Sequence, residues 1–445
     1  MMASLFHPTL KFFSHLKNIH IQTARTVSAL HIPGNKAKGA VSLLKPSLDH
    51  IDKLLDEKQI LKQNLEMRGC SLNLDLFEES WRRMQELRRQ RDWLEEQRDR
   101  VSHQIREHVT QKNEHNRSAI EELKKEGKRL RNQLKELSES WWALEEEAVL
   151  SALKLPNLLH RKTPELDEII GCHRSPPEGQ ATSHKKCEEI EFLDHSPTAY
   201  YLKGSLAYKE LELARNFSRR LFDEGFHLIS APDFVKSLVV EGCGLDFSDA
   251  NRVLALAEAH DTDADGADAL HLVGGASLPS LVAFLTKNVI QSPLPLRLAA
   301  GGRSYRPARS SDGLFGAVQS TGVHFVSVLE NCPDRLYEEV ERLRDVLTDL
   351  LAEHLGVHFR ICAVSSRHLE TWEQYRASFQ IYLPTTKRYV QVASVSIVGD
   401  FISRRLAIYG PDGQHPGFVS GTALCTSDVL AAWTEYQSID EKNDS

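Results

Sequence analysis

From residue 77 to residue 150 the chain contains no proline and a single glycine, Gly127. A stretch that long without a helix breaker admits little except long helices. Within it Ile120, Leu123, Gly127, Leu130, Leu134, Leu137, Trp141, Leu144 and Ala148 recur at alternating spacings of three and four, the seam of a coiled coil with a weak point at Gly127. Met84, Leu87, Leu94, Val101 and Ile105 form a less regular seam in which Arg91 and Arg98 take two core-like positions. The polar run TQKNEHNRSA between them suits a chain reversal. The spacing therefore predicts an antiparallel helical hairpin projecting from the rest.

Charge suggests what such a projection touches. Residues 81–135 hold 16 Lys or Arg against 10 Asp or Glu, although the whole chain sums to −7. A basic projection on an acidic body invites a phosphate backbone. Arg82, Arg83, Arg88 and Arg89, with Lys124, Lys125, Lys128, Arg129 and Arg131, are candidate RNA contacts of the salt-sensitive, nonspecific kind. For any one of them the alternative is a solvated helix face making i,i+4 pairs.

Residues 1–48 carry Lys11, Lys17, Arg25, Lys36, Lys38 and Lys45 with no acid before Asp49, and apolar patches such as LKFFSHL lie among Ser, Thr and His. That mixture fits an amphipathic mitochondrial transit peptide; a basic nucleic-acid-binding tail is the alternative. The mature chain is expected to begin between residues 20 and 45. No apolar run approaches the roughly 20 residues of a membrane-spanning helix, so membrane insertion is not expected. The seven cysteines are scattered without a C-x-x-C pair, which implies a reducing compartment, no disulfide framework and no metal centre.

After LKLPNLLH the pattern changes. HLISAPDFV up to Pro232, HLVGGASL, LPLRLAAGG, HFVSVLE, FRICAVS, RYVQVASVSIV and RRLAIYG read as strands, and 205–226 and 333–356 as amphipathic helices. Few βαβ alternations and unequal strands predict an α+β domain: a mainly antiparallel sheet with flanking helices. The expected regions are a leader and linker over 1–45, the coiled-coil arm over 46–155 and the sheet domain over 156–445. In GTALCTSDVLAAW, Thr426 and Ser427 are good N-cap residues and Asp428 suits a helix's first turn. DTDADG at 261–266 imitates the start of a calcium-binding loop, but Asp268 and Leu272 occupy its eighth and twelfth places, so an acidic insertion within 261–268 is the better reading.

The blocks LPNLLH, YYLKGSLAYKELELA, EGFHLISAPDFV, LPLRLAAGGRSYR, GDFISRRLAIY and GTALCTSDVLAAWTEYQ, in this order behind a coiled-coil arm, resemble the seryl-tRNA synthetases of class II over about residues 47–440. The resemblance implies a class II aminoacyl-tRNA synthetase-like antiparallel domain. Activating serine with ATP needs arginines at the phosphates, a carboxylate for Mg²⁺ and polar groups around serine. Residue by residue, the resemblance places Gly275 and Ser277 where a Thr-x-Glu grips the amino group. Arg306 is kept as the α-phosphate ligand, with Ala308 at the following glutamate position. Gly322 replaces an arginine, although His324 and Glu330 are retained. Gln391 stands at the metal-binding carboxylate, Ile397 at a polar asparagine and Asp428 at the arginine that clamps the γ-phosphate. These losses most resemble the catalytically silent seryl-tRNA-synthetase-like proteins of insect mitochondria.

The resulting expectation is a noncatalytic mitochondrial matrix protein that needs no cofactor. Its implied partners are tRNA(Ser) or other mitochondrial RNA on the arm and a second subunit at the face around Pro232, either its own copy or the active mitochondrial seryl-tRNA synthetase. A stand-alone mitochondrial RNA-binding regulator and a working serine–tRNA ligase are the competing readings.

Overall fold

The computed structural model describes residues 28–31, 44–110, 116–193, 196–256, 269–307 and 313–443. Ala308, the acidic stretch 261–268, residues 111–115 of the hairpin tip and most of the expected leader lie outside the described residues.

The proline-free stretch forms two helices, α3 (Leu74–Thr110) and α4 (Asn116–Leu153), preceded by the short α1 (His50–Asp56) and α2 (Lys58–Arg68). On the α4 seam Leu130, Leu134, Trp141 and Ala148 are buried. Arg91 occupies its core-like position by laying its guanidinium over the Trp141 ring, 4.1 Å from the centroid, where its charge meets the π-face instead of an apolar partner. Arg98 corrects the sequence reading: it turns to solvent and pairs with Asp99 at 3.0 Å, leaving Gln97 half-buried in its stead. At the base, Ile51, Leu61, Leu65, Phe77, Trp81, Met84 and Val149 bury a local core.

Polar groups weld this base to the body. Asn64 Nδ2 donates to Asn157 O at 3.3 Å, and Asn157 Nδ2 reaches Val398 O at 2.7 Å. Arg68 donates to the carbonyls of Glu370 and Glu373. These buried donors leave few alternative seats for the arm.

The body runs β1 (Glu168–His173), β2 (Ile190–Leu193), β3 (Ser196–Leu202), α5 (Gly204–Asp223), β4 (His227–Leu228), β5 (Phe234–Lys236), α6 (Ser237–Gly242), β6 (Leu254–Ala255), β7 (Leu270–Leu272), α7 (Leu278–Ala283), β8 (Leu296–Tyr305), β9 (Gln319–Leu329), α8 (Pro333–Leu355), β10 (Phe359–Ala363), β11 (Tyr375–Leu383), β12 (Arg388–Gly399), α9 (Phe401–Arg405), β13 (Gly417–Cys425) and α10 (Thr426–Asn443). One eight-stranded sheet has the order β1-β10-β11-β12-β13-β9-β8-β4. Its pairings are antiparallel except β4 with β8. One face packs Phe325, Phe359, Phe379 and Val395 against Phe217 of α5, Leu347 of α8 and Leu430 of α10. Part of the other face packs Leu298, Val326 and Phe418 against α6, α7 and α9. Glu339 pins α8 to the sheet: burial would raise its carboxyl, but Arg297, Arg342 and Ser327 hold it at about 2.

Three expected strands differ. HLISAPDFV splits into β4 and β5 around Pro232, which offers no N–H to continue a ladder. HLVGGASL pairs only over β7, because Gly274 turns at φ +89° and Ser277 caps α7. RRLAIYG supplies the end of α9 and one isolated bridge, Tyr409 to Val289. Gly399 at φ +58° ends β12 just before it, and the Arg405 guanidinium then finds the Leu153 carbonyl at 2.8 Å.

A Cβ on Gly127 meets only Val101 Cγ1, at 3.7 Å. Gly127→Ala is therefore expected to stabilise the arm by about 1 kcal/mol through reduced backbone entropy of the unfolded chain. Thermal unfolding followed by circular dichroism at 222 nm checks this, and an unchanged or lower midpoint contradicts it.

Candidate functional site

Cross-strand register defines the floor of the site. Ser378, Ser394, Thr422, His324 and Ala300 are successive neighbours across β11, β12, β13, β9 and β8. Their chain neighbours Ala377, Val395, Phe325 and Ala299 face the helical core, so the row looks the opposite way. His324 is fixed by Thr422 Oγ1 at 3.2 Å and Ser420 Oγ at 3.0 Å. Burial drives its imidazole down to about 4, which keeps it neutral. A bulge puts both Val392 and Ala393 in the core, and Gln391 falls back on the polar face, accepting from Ser378 Oγ at 2.8 Å. Ile397 does not join the floor. It is wholly buried on the helical side with Tyr375 and Val419.

At one end of this face Arg306 follows directly on β8, and Asp428 lies in the first turn of α10. The two meet in a two-pronged ion pair: Nη2 donates to Oδ1 at 3.0 Å and Nη1 to Oδ2 at 3.3 Å. Nε donates to Ala317 O at 3.1 Å and Nη2 also to Phe315 O at 3.3 Å. Four of the five guanidinium N–H groups thus have partners from the chain itself. Burial opposes the Arg306 charge, but Asp428, Cys425 and Tyr200 outweigh it and raise the group above its ordinary value. The helix start that carries Asp428 is fixed by Thr426 Oγ1, 2.9 Å from both Glu210 Oε1 and Thr321 O. Arg303 joins the same cluster through Thr321 Oγ1 at 2.8 Å. Glu210, Arg303 and Thr321 escaped the sequence reading; the spacing of Arg303 and Arg306 in GGRSYR was the available signal.

The other expected positions have closed up. Gly275 N donates to Asp233 Oδ1 at 2.8 Å, and a Cβ there would sit 2.6 Å from Ala231 O. A Cβ on Gly322 would lie 2.9 Å from Leu424 O. Both clashes are with backbone, so neither a threonine at 275 nor an arginine at 322 fits without moving the chain. Ser277 Oγ donates to Gly274 O at 2.6 Å and accepts from Ser280 N, an N-cap in place of a ligand group. The structure brings Arg306 and Asp428 together and sets Gly322 beside Ala276, 4.0 Å between Cβ positions. Gln391 and Ile397 are not gathered with them.

On the arm, Arg82, Arg89 and Arg129 pair with Asp56, Glu86 and Glu126. Arg83, Arg88, Lys124, Lys125, Lys128 and Arg131 are exposed. A groove of about 770 Å³ between α3 and α4 is lined by Arg89, Trp93 and Arg129 among others. Trp93 is 58% exposed, an indole face that the sequence reading passed over.

The model of the seryl-tRNA synthetase N-terminal domain family matches residues 48–159. The chain is 31% identical over 427 residues to the serine–tRNA synthetase-like protein Slimp of Drosophila melanogaster, spanning 93% of this chain and 89% of that protein. The chain belongs to the seryl-tRNA synthetase family. It is also 26% identical to the mitochondrial serine–tRNA ligase of Bos taurus, over 81% of this chain and 74% of the ligase. Among solved structures, the seryl-tRNA synthetase of Pyrococcus horikoshii complexed with ATP superposes with a TM-score of 0.72 at 18% identity, covering 86% of this chain and 92% of that one. That likeness is one of fold: a helical arm followed by a large, mostly antiparallel sheet domain.

Two outcomes follow from the site. Asp428→Ala would leave Arg306 half-buried without its counter-charge, and is expected to cost about 2 kcal/mol, under the range for a fully buried pair because Arg306 keeps 29% of its side chain exposed. Tripolyphosphate should then raise the melting temperature of the variant but not of the parent; equal responses contradict the assignment. The second concerns His324, whose proton affinity is lower in the folded than in the unfolded chain. Its contribution is full above about pH 6.5 and is lost as pH falls toward 4. Denaturant unfolding at pH 7 and pH 5 should show a smaller acid loss for His324→Gln than for the parent.

Proposed function

We propose that this chain is a noncatalytic mitochondrial member of the seryl-tRNA synthetase family, which holds RNA on its helical arm and supports mitochondrial translation without activating serine or seating ATP. The observation that carries this reading is the Arg306–Asp428 pair. A triphosphate approaching it meets a carboxylate where a cation would be required, and the one arginine retained for phosphate is already neutralised. At charge separations of a few ångströms such a reversal is worth several kcal/mol even at an effective dielectric near 20. The backbone clashes at Gly275 and Gly322 bar the simplest restoration of the serine subsite. Gln391 offers a neutral amide carbonyl where an anionic carboxylate would hold Mg²⁺.

The basic leader and the similarity to mitochondrial ligases support a place in the mitochondrial matrix. For RNA, the arm offers Arg83, Arg88, Lys124, Lys125, Lys128 and Arg131, which form no ion pair within 4 Å among the described residues. Trp93 adds a stacking surface in the groove that Arg89 and Arg129 also line. The RNA is tRNA(Ser) or another mitochondrial transcript. Pairing would use the face around Pro232, where Leu228 and Phe234 are 45% and 51% exposed, with the active mitochondrial seryl-tRNA synthetase favoured over a second copy. A stand-alone RNA-binding role is supported by the same arm, whose cations lie apart from the closed site.

Three measurements separate these readings. ATP–pyrophosphate exchange with serine, on protein free of active synthetase, should give no signal above background, and robust exchange would make the chain a working ligase. Reversing the charge of Lys124, Lys125, Lys128 and Arg129 to Glu should weaken RNA binding at least tenfold and flatten its salt dependence, with subunit pairing intact. Native mass determination of the complex isolated from mitochondria should show the mixed dimer; a monomer bound to RNA favours the stand-alone role.

A further inference from the structure

Four residues near the start of the chain, Ser28–His31, lie on the body more than 200 positions from their principal partner. That partner is Glu241, on the last turn of α6. Ser28 Oγ donates to its Oε1 at 2.7 Å, while the Ala29 and Leu30 amides donate to Oε2 at 2.6 and 2.9 Å. Ser28 Oγ also accepts from the Leu30 and His31 amides at 3.2 and 3.1 Å, folding the segment into a tight turn. Ala29 and Leu30 are 5% and 2% exposed and pack into the cluster that holds Val235, Val239, Val240 and Phe401.

Glu241 has no local reason to be where it is. An acid in the last turn of a helix opposes the helix dipole, and its burial raises the carboxyl above the usual range despite the donors of the segment and nearby Arg405. Its three hydrogen bonds with the segment are what make the carboxylate tolerable there. On its other side His31 lies within electrostatic reach of Glu146 on α4, so the turn sits between the body and the root of the arm.

We infer that α6 carries a docking site for the chain's own Ser28–His31, with Glu241 as its anion, and that proteolytic removal of the leader spares this segment by cutting on the N-terminal side of Ser28. The second half rests on the proposed mitochondrial import; the first does not. A cut after His31 would strip a half-buried carboxylate of three donors and open an apolar seat.

The test compares chains beginning at residue 28 and at residue 32. The first should melt with the full-length protein, and the second about 3 °C or more lower. Glu241→Gln and the milder Ser28→Ala should each lower the melting temperature of the chain beginning at 28. Glu241→Gln should cost clearly less in the chain beginning at 32, because its three donors are already gone and only nearby Arg405 remains. Equal melting of the two truncated chains, or a Glu241→Gln effect that is undiminished without the segment, overturns the docking site. N-terminal sequencing of protein isolated from mitochondria should find a first residue between Met2 and Ser28. A start beyond Ser28 overturns the processing boundary. A chain that is not imported and keeps Met1 overturns the boundary together with the import reading, and the melting comparison then judges the docking site alone.

Discussion

A half-buried guanidinium must be given a counter-charge, and the rest of the site follows from which group gives it. Here Asp428 does so from the start of α10, 122 residues away in sequence. Taking a cation and an anion out of water is costly, and the pair is worth keeping only because its geometry is good and further donors are satisfied by the carbonyls of Phe315 and Ala317. Once made, the arrangement needs no ligand. The resemblance implies phosphate-facing arginines at positions 306 and 428; here Asp428 stands at the second and pairs with Arg306.

Other polar groups of this face likewise find partners within the chain. His324 uses Ser420 and Thr422, Gln391 uses Ser378, and Ser396 donates to the buried Glu373 at 2.6 Å. These polar groups of the face thus have hydrogen-bond partners within the chain itself. Arg306, Asp428, His324 and Gln391 lie outside the apolar core between the sheet and α5, α8 and α10, and only Ile397 of the expected site positions among the described residues belongs to it. Fold and candidate site thus draw on largely separate sets of residues.

Periodicity made the arm, α5, α8 and the longer strands readable from sequence, because a buried stripe repeats its signal over many residues. It failed where one residue decided the path. Gly399 and Gly274 turn the chain through positive φ, and so RRLAIYG and HLVGGASL became a helix end and a cap in place of strands. Arg98 fell out of the seam because the guanidinium of Arg91 already covers Trp141 and Arg98 had no such ring to cover. At the site, the exchange of residue types at 275, 277, 322, 391, 397 and 428 and the retention of Arg306 were visible in the sequence, but their consequences were not. Pairing of Arg306 with Asp428 depends on where β8 ends relative to α10, and the tight quarters of Gly275 and Gly322 depend on the carbonyls of Ala231 and Leu424. The seating of Ser28–His31 on the body was not legible because its anchor, Glu241, is distant in sequence.

The central claim is that the charge needed to seat a triphosphate is spent within the chain. Calorimetric titration of the purified protein with ATP and Mg²⁺ tests it most directly. No saturable uptake is expected at millimolar nucleotide. Saturable, magnesium-dependent binding at micromolar concentration, with Arg306 released from Asp428 in the complex, would contradict it.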